Sequence, residues 1–103
     1  MQLPQLSLEY LRVAWSATIS GVLVDPTNPV LSVQLAFPRS GAAPAAWYTA
    51  SWEADGRGGW WARCLLGPGG AVTLVPGAYD VWVKVTMTPE IPARKSPEQL
   101  RIT

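Results

Sequence analysis

The stretch that decides the fold is VPGAYDVWVKVTM, residues 75–87. Apolar side chains occupy every second position from Tyr79 to Met87, and the positions between them are polar or charged, except for Trp82. Alternation with a period of two is typical of a β-strand that buries one face, and β-branched residues suit its pleated surface. The stretch therefore predicts one continuous strand, with Trp82 on the face opposite the core.

The same alternation, interrupted by turn signals, predicts further short strands. Residues 31–37 alternate apolar with small or polar side chains. Residues 54–59, ADGRGG, combine Asp-Gly with Gly-Gly, which is a strong hairpin signal. The other strands are predicted at 6–13, 17–24, 47–53, 60–66, 71–74 and 99–103. Short strands at this spacing are typical of a β-sandwich or a small barrel.

Tyr79 favours the sandwich over the barrel. It follows the Pro76-Gly77 turn and starts the long strand, as does the tyrosine corner of immunoglobulin-like domains, whose hydroxyl bonds to upstream backbone. We therefore predict an all-β fold, an immunoglobulin-like antiparallel β-sandwich of seven or eight short strands. Cys64 is the only cysteine, so the disulfide that often joins such sheets cannot form. We expect Cys64 to be a small buried core residue.

The length of 103 residues suits one domain. The chain is 49% hydrophobic and 15% charged, which argues against disorder. We predict an N-terminal arm over residues 1–6 and a single β-sandwich domain over residues 7–103. The arm, which is apolar, is expected either to lie along its own sheet or to add to a neighbouring subunit.

The composition argues against several classes of function. Histidine is absent and the net charge is +1, so the usual triads, most zinc sites and a basic nucleic-acid surface are not expected. The Gly-rich turns lack the spacing of a phosphate loop. No apolar run approaches the ~20 residues of a membrane span, and the first residues do not resemble a secretory signal. We expect no enzymatic activity, metal or cofactor.

The six tryptophans, against a single phenylalanine, are the unusual feature of the composition. Strand parity places Trp61 on one face with Arg63, and Trp82 on an outer face. These rings could lie under loops or at a sheet edge, form a protein contact, or stack on a sugar ring. Trp and Arg are enriched at protein interfaces. The predicted partner-binding residues are Leu3, Leu6, Trp61, Arg63 and Trp82.

Several stretches of the chain together carry a family resemblance. They are WWARCLLGPGG (60–70), PGAYDVWVKV (76–85), PEIPAR (89–94) and LRIT (100–103), preceded by VDPT (24–27), AFP (36–38) and ASWE (50–53). The chain from about Ile19 onward resembles small proteins encoded among the virion structural genes of tailed phages and prophages of actinobacteria. The resemblance implies a small immunoglobulin-like virion component, and such domains commonly decorate capsids or tails.

The resemblance and the composition together lead to one functional expectation with two alternatives. We expect a capsid decoration or cement protein, made in the host bacterial cytoplasm and located in the virion. Its partners would be the major capsid protein or other virion proteins, with a possible homo-oligomer. The alternatives are a head–tail connector or tail component, and a carbohydrate-binding module for the host cell surface.

Overall fold

The structure is a computed structural model of a chain that is all-β. It describes residues 2–16, 18–19, 22–27, 30–87 and 90–103, with residues 18, 19 and 22 described by their backbone. The strands are β1 (Gln2–Leu3), β2 (Glu9–Trp15), β3 (Thr18–Ile19), β4 (Val22–Leu23), β5 (Ser32–Ala36), β6 (Tyr48–Thr49), β7 (Ser51–Ala54), β8 (Trp60–Leu66), β9 (Gly77–Tyr79), β10 (Trp82–Thr86), β11 (Ala93–Lys95) and β12 (Leu100–Ile102). No helix that could cross a membrane occurs among these residues.

Two antiparallel sheets form the sandwich. The first sheet has the order β2-β8-β7 and the second has the order β11-β10-β5-β6. A third sheet, β1-β12-β9, contains the parallel pair β1–β12, and β3 pairs with β4. The predicted all-β, largely antiparallel sandwich is confirmed. The predicted hairpin is also confirmed, because β7 and β8 pair from Ser51↔Arg63 to Ala54↔Trp60.

The core lies between the two sheets and follows the period-two pattern. On β8, alternate residues from Ala62 to Leu66 are buried, while Trp61 and Arg63 lie on the outer side. One cluster joins these side chains to apolar residues of β2, β5 and β10. Cys64, only 2% exposed, belongs to this cluster as predicted. Burial raises the pKa of its thiol, so the sulfur stays protonated and packs as a small apolar group.

The continuous strand predicted from Tyr79 to Met87 is wrong, because the chain changes sheet at Asp80. β9 pairs with β12 in the third sheet, whereas β10 pairs with β5 and β11 in the second. The Asp80 carboxylate, which alternation along residues 79–87 would place on the same face as Trp82, is buried and accepts hydrogen bonds from Gly41 N at 3.0 Å and Gln99 Nε2 at 3.3 Å. These partners lie far away in the sequence, so the alternating pattern alone did not indicate the break.

Other predicted strands also differ from the structure. The strand at 47–53 divides into β6 and β7 on either side of Ala50, whose N–H donates to Val33 O. The strand at 17–24 is instead the pair β3–β4, and its residues 17, 20 and 21 lie outside the described part. Residues 71–74 form only an isolated bridge between Leu66 and Val72. β2 starts at Glu9, later than predicted.

Tyr79 forms the predicted corner. Its hydroxyl donates to Val75 O at 2.7 Å, and its ring is 4% exposed beneath the guanidinium of Arg39.

The N-terminal arm lies along its own sheet, where Thr103 N donates to Leu3 O at 2.9 Å and Gln5 N donates to Thr103 O at 3.2 Å. Met1, the first residue of the predicted arm, lies outside the described part.

The two sides of the sandwich differ. On one side, the chain crosses from β6 in the second sheet to β7 in the first sheet and closes the gap between them. On the other side, β2 and β11 are the edge strands of the two sheets. A cleft of about 510 Å³ opens between them. The crossing at β6–β7 therefore leaves β2 and β11 as the edge strands that flank this cleft.

Candidate contact surfaces

The outer face of the first sheet carries a cluster of charged and aromatic side chains. Directly paired residues of an antiparallel sheet share a face, so the pairs Tyr10↔Leu65, Arg12↔Arg63 and Ala14↔Trp61 form rows across it. Glu53 of β7 lies opposite Trp61 on the same face. The surface formed by Tyr10, Arg12, Glu53, Trp61, Arg63 and Leu65 is called the Arg–Glu face below.

Glu53 explains why two arginines tolerate being directly opposite each other, which would otherwise destabilise the pair. Its carboxylate accepts from Arg12 Nε at 2.6 Å and from Arg63 Nη1 at 2.7 Å. The ring of Tyr10 lies 4.6 Å from the Arg63 guanidinium carbon and 5.7 Å from that of Arg12. The aromatic ring and the carboxylate together hold both guanidinium groups in place at the surface.

The ion pair between Arg12 and Glu53 shifts the pKa values of both groups. The hydrogen bond from Arg12 is the main cause of the lowered pKa of Glu53, and the Arg63 charge adds to it against partial desolvation. The same hydrogen bond raises the pKa of Arg12. The Arg12–Glu53 pair is therefore ionised at neutral pH.

Acidification is expected to remove the stabilisation that Glu53 provides. Because its pKa is lower in the folded chain than the ~4.3 of an unfolded glutamate, this stabilisation is complete above the unfolded pKa. It disappears as the pH falls through the folded pKa. Carbon-detected NMR titration should give a Glu53 midpoint below ~4.3, and a larger upward shift in Arg12→Ala than in Arg63→Ala. A midpoint unchanged in both variants would contradict the ion-pair network.

The outer face of the second sheet carries a different aromatic cluster. Trp82 and Lys84 alternate with the buried Val83 on β10, and Lys84 Nζ lies 4.2 Å from the centroid of the Trp47 ring. Trp82 is half-buried, and its Nε1 is buried without a hydrogen-bond partner among the described residues. Among the described residues, this surface carries one cation–π pair and no ion pair like those of Glu53.

The structure does not bring the five predicted partner-binding residues together. Trp61 and Arg63 share the Arg–Glu face, whereas Trp82 lies on the opposite outer face of the sandwich. Leu3 is half-buried in β1, and Leu6 is 84% exposed just beyond it. One flat contact can therefore include Trp61 with Arg63, or Trp82, but not all three.

The tryptophans are packed more closely than an outward-facing set would be. All six are half-buried. Trp15 and Trp52 pack with their ring centroids 5.0 Å apart and their planes 53° from parallel, and Trp52 Nε1 donates to Leu31 O at 2.9 Å. Tilted, partly covered rings of this kind do not form a flat platform.

Sequence reasoning missed Tyr10 and the role of Glu53. Tyr10 and Arg12 are two positions apart in the strand predicted at 6–13, so the alternation already places them on one face. Glu53 is 41 residues from Arg12, and no local pattern links the two. Only the register of β2 and β7 on β8 brings these groups together.

The cleft between β2 and β11 is the second candidate surface. Val13 and Trp15 from β2 line one wall, and Val83 and Val85 from β10 line the other. Four charged residues, Arg12, Arg94, Lys95 and Glu98, also line it, and of the two on β11 Arg94 is the one whose side chain starts on the core side of the sheet. The cleft therefore has apolar walls and one arginine, Arg94, that starts on the core side at its mouth. The part of the chain that the structure describes contains no group of acidic, cysteine or histidine side chains able to hold a metal ion.

Comparison with protein-family models, with curated proteins and with solved structures finds no match for this chain.

Proposed function

We propose that the protein is a non-enzymatic virion structural protein with an immunoglobulin-like fold. Its role would be that of a capsid decoration or cement protein that binds the major capsid protein lattice. The observation that carries the proposal is the Arg–Glu face, where Trp61 and Tyr10 flank two arginines held by one carboxylate. Aromatic and arginine side chains are the residues that most often dominate the energetics of protein contacts.

The rigidity of the Arg–Glu face suits this role. Long side chains lose rotamer freedom when they are immobilised at an interface. Arg12 and Arg63 already have this freedom restricted, since each bonds Glu53 and lies near the Tyr10 ring. A stable contact of two isolated proteins buries ~800 Å² on each partner, and a repeating lattice relaxes this requirement through avidity. A small domain of this kind can therefore bind an assembled shell.

The immunoglobulin-like part of the proposal rests on strand order and on one hydrogen bond. Sheets ordered β2-β8-β7 and β11-β10-β5-β6 correspond to the B-E-D and G-F-C-C′ arrangements of immunoglobulin-like sandwiches, which also contain a tyrosine corner. The Tyr79 hydroxyl bond to Val75 O provides that corner. Many cell-surface domains share this sandwich architecture.

Copy number in purified particles tests the proposal. Particles from cells that carry the gene would be analysed by quantitative mass spectrometry against the major coat protein. We expect a copy number comparable with that of the coat protein or of its capsomers. A copy number that is a small fraction of this would assign the chain to the connector or the tail. Absence of the chain from particles would overturn the virion assignment and leave glycan binding to be examined.

Trp61→Ala is expected to weaken binding to isolated capsids by about 10-fold or more, because a central aromatic contact typically contributes that much. Trp82→Ala is the matched control, since it removes the same side chain from the opposite outer face. Its affinity should stay within about 2-fold of the parent. Binding would be measured by co-sedimentation. A loss confined to Trp82→Ala would place the contact on the second sheet and contradict the Arg–Glu face.

A further inference from the structure

The alternation of hydrogen bonds in the first sheet shows which backbone groups of β2 remain unpaired. Asp55 N donates to Gly59 O at 3.1 Å at the end of the β7–β8 hairpin. Hydrogen-bonded and non-bonded pairs alternate along an antiparallel ladder, so the odd positions of β8 bond β7 and its even positions bond β2. In the β2–β8 register, even positions of β8 face odd positions of β2. The backbone N–H and C=O groups of Tyr10, Arg12 and Ala14 therefore point away from the sheet.

This edge lacks the features by which sheets usually block further pairing. Within the described ranges, the backbone groups of Tyr10, Arg12 and Ala14 form no hydrogen bond on the side away from β8. β2 is seven residues long, contains no proline, and has apolar inward positions from Leu11 to Trp15. Native edges are commonly protected by prolines, inward-pointing charges or short length. β2 is therefore open to the addition of a strand.

β11, across the cleft, is protected in these ways. It is only three residues long and lies between Pro92 and Pro97. Arg94 is directly paired with the inward-facing Val83, so its side chain starts on the core side of the sheet, at the mouth of the cleft. A strand entering the cleft would thus pair with β2, and its inward side chains would contact Val83 and Val85.

The charges at the mouth define the chemistry of such a strand. Arg94 forms no ion pair with any acidic side chain of the described residues, whereas Arg12 is already paired with Glu53 and the charge of Lys95 acts on the buried Asp80. Glu98 is the acidic residue that lines the cleft. An extended segment with apolar side chains on one face and a carboxylate near Arg94 would complement both the apolar walls and the charge of the rim.

We propose that the cleft binds an extended acidic segment of a partner protein, which adds to β2 as a fourth strand of the first sheet. Main-chain bonds to Tyr10, Arg12 and Ala14 would provide affinity, and the apolar floor and Arg94 would provide specificity, as in other cases of β-strand addition. The inference concerns the free edge alone and does not depend on the virion proposal.

The test uses a seven-residue peptide, equal in length to β2, in which valine and threonine alternate between a glutamate at each end. Titration of the ¹⁵N-labelled chain should shift the amide resonances of Tyr10, Arg12 and Ala14 most strongly. The same peptide with lysine at each end is the control and should bind at least 5-fold more weakly, roughly the effect of one rim charge. Equal binding of both peptides, or no shift at about 1 mM peptide, would overturn the proposal.

Two variants test separately the contribution of the β2 backbone and that of the Arg94 charge to peptide binding. Ala14→Pro removes one outward N–H without removing a bond to β8, and should weaken binding about 10-fold or more. Ala93→Pro is its control on β11 and should leave binding unchanged, because the outward N–H that it removes belongs to the other edge. Arg94→Glu should reverse the preference between the two peptides, and it tests the proposal even if Ala14→Pro does not fold.

Self-association is the competing outcome. If the Tyr10, Arg12 and Ala14 amides shift on dilution of the chain alone, and added peptide has no effect, the occupant of the edge is a second copy. That result would overturn the partner-segment proposal, whatever the copy number in virions. Shifts confined to β11 amides on peptide addition would overturn it as well.

Discussion

Replacing Leu35 by alanine is expected to lower the free energy of unfolding by about 2–5 kcal/mol. Leu35 is 0% exposed and lies in β5 between Val83 of β10 and Tyr48 of β6. Removing its side chain leaves a cavity between two packed sheets that cannot collapse fully. A domain of this size has only ~5–15 kcal/mol of stability in total, so the variant should unfold at a much lower urea concentration.

Leu6→Ala is the matched control for Leu35→Ala. The same atoms are removed, but Leu6 is 84% exposed, so the change in unfolding free energy should stay within about 0.5 kcal/mol. Both variants would be measured by urea denaturation with the slope of the transition held in common. Similar losses in the two variants would contradict the assignment of Leu35 to the core.

Replacing Gly67 by alanine is expected to lower the free energy of unfolding by about 3 kcal/mol. Gly67 follows β8 with a φ of +123°, which a side chain makes unfavourable by ~1–2 kcal/mol. A Cβ at this position would also overlap the carbonyl oxygen of Ser7, in the segment that precedes β2. Backbone atoms on both sides cannot rotate away, and such overlap costs ~1–3 kcal/mol.

Gly69→Ala separates the two contributions to the Gly67 effect. Gly69 also has a positive φ, of +81°, but nothing lies within 4 Å of its added Cβ. Gly69→Ala should lower the free energy of unfolding by about 1 kcal/mol, which is the cost of the backbone conformation alone. Thermal unfolding of both variants measures the difference. Equal losses would show that the segment around Ser7 is not packed against the end of β8.

Local patterns were sufficient for the features that depend on a few neighbouring residues. The hairpin turn at Asp55 was predictable because its carboxylate accepts the N–H groups of Arg57 and Gly59, only two and four residues ahead. The corner at Tyr79 was predictable because its acceptor is Val75, four residues behind. Burial of Cys64 followed from parity within one strand.

Features that depend on distant residues were not predictable in the same way. The change of sheet at Asp80 depends on Gly41 and Gln99, 39 and 19 residues away. Alternation continues through this break, so the pattern predicted a single strand. The Arg–Glu face likewise required Glu53 to be placed beside Arg12 by the registers of two strands on β8.

The sequence by itself determined that this chain is all-β, where its main hairpin turns, and which side of β5, β8 and β10 enters the core. These properties follow from the alternation of apolar residues along a strand and from the residues that favour tight turns, and both act over a few residues. Only the tertiary structure decided that Trp61 and Trp82 lie on opposite faces and that a cleft opens between β2 and β11. Which sheet a strand joins, and which edge remains unpaired, depends on the joint packing of the whole core, because each pairing removes hydrogen-bonding groups that another strand would need.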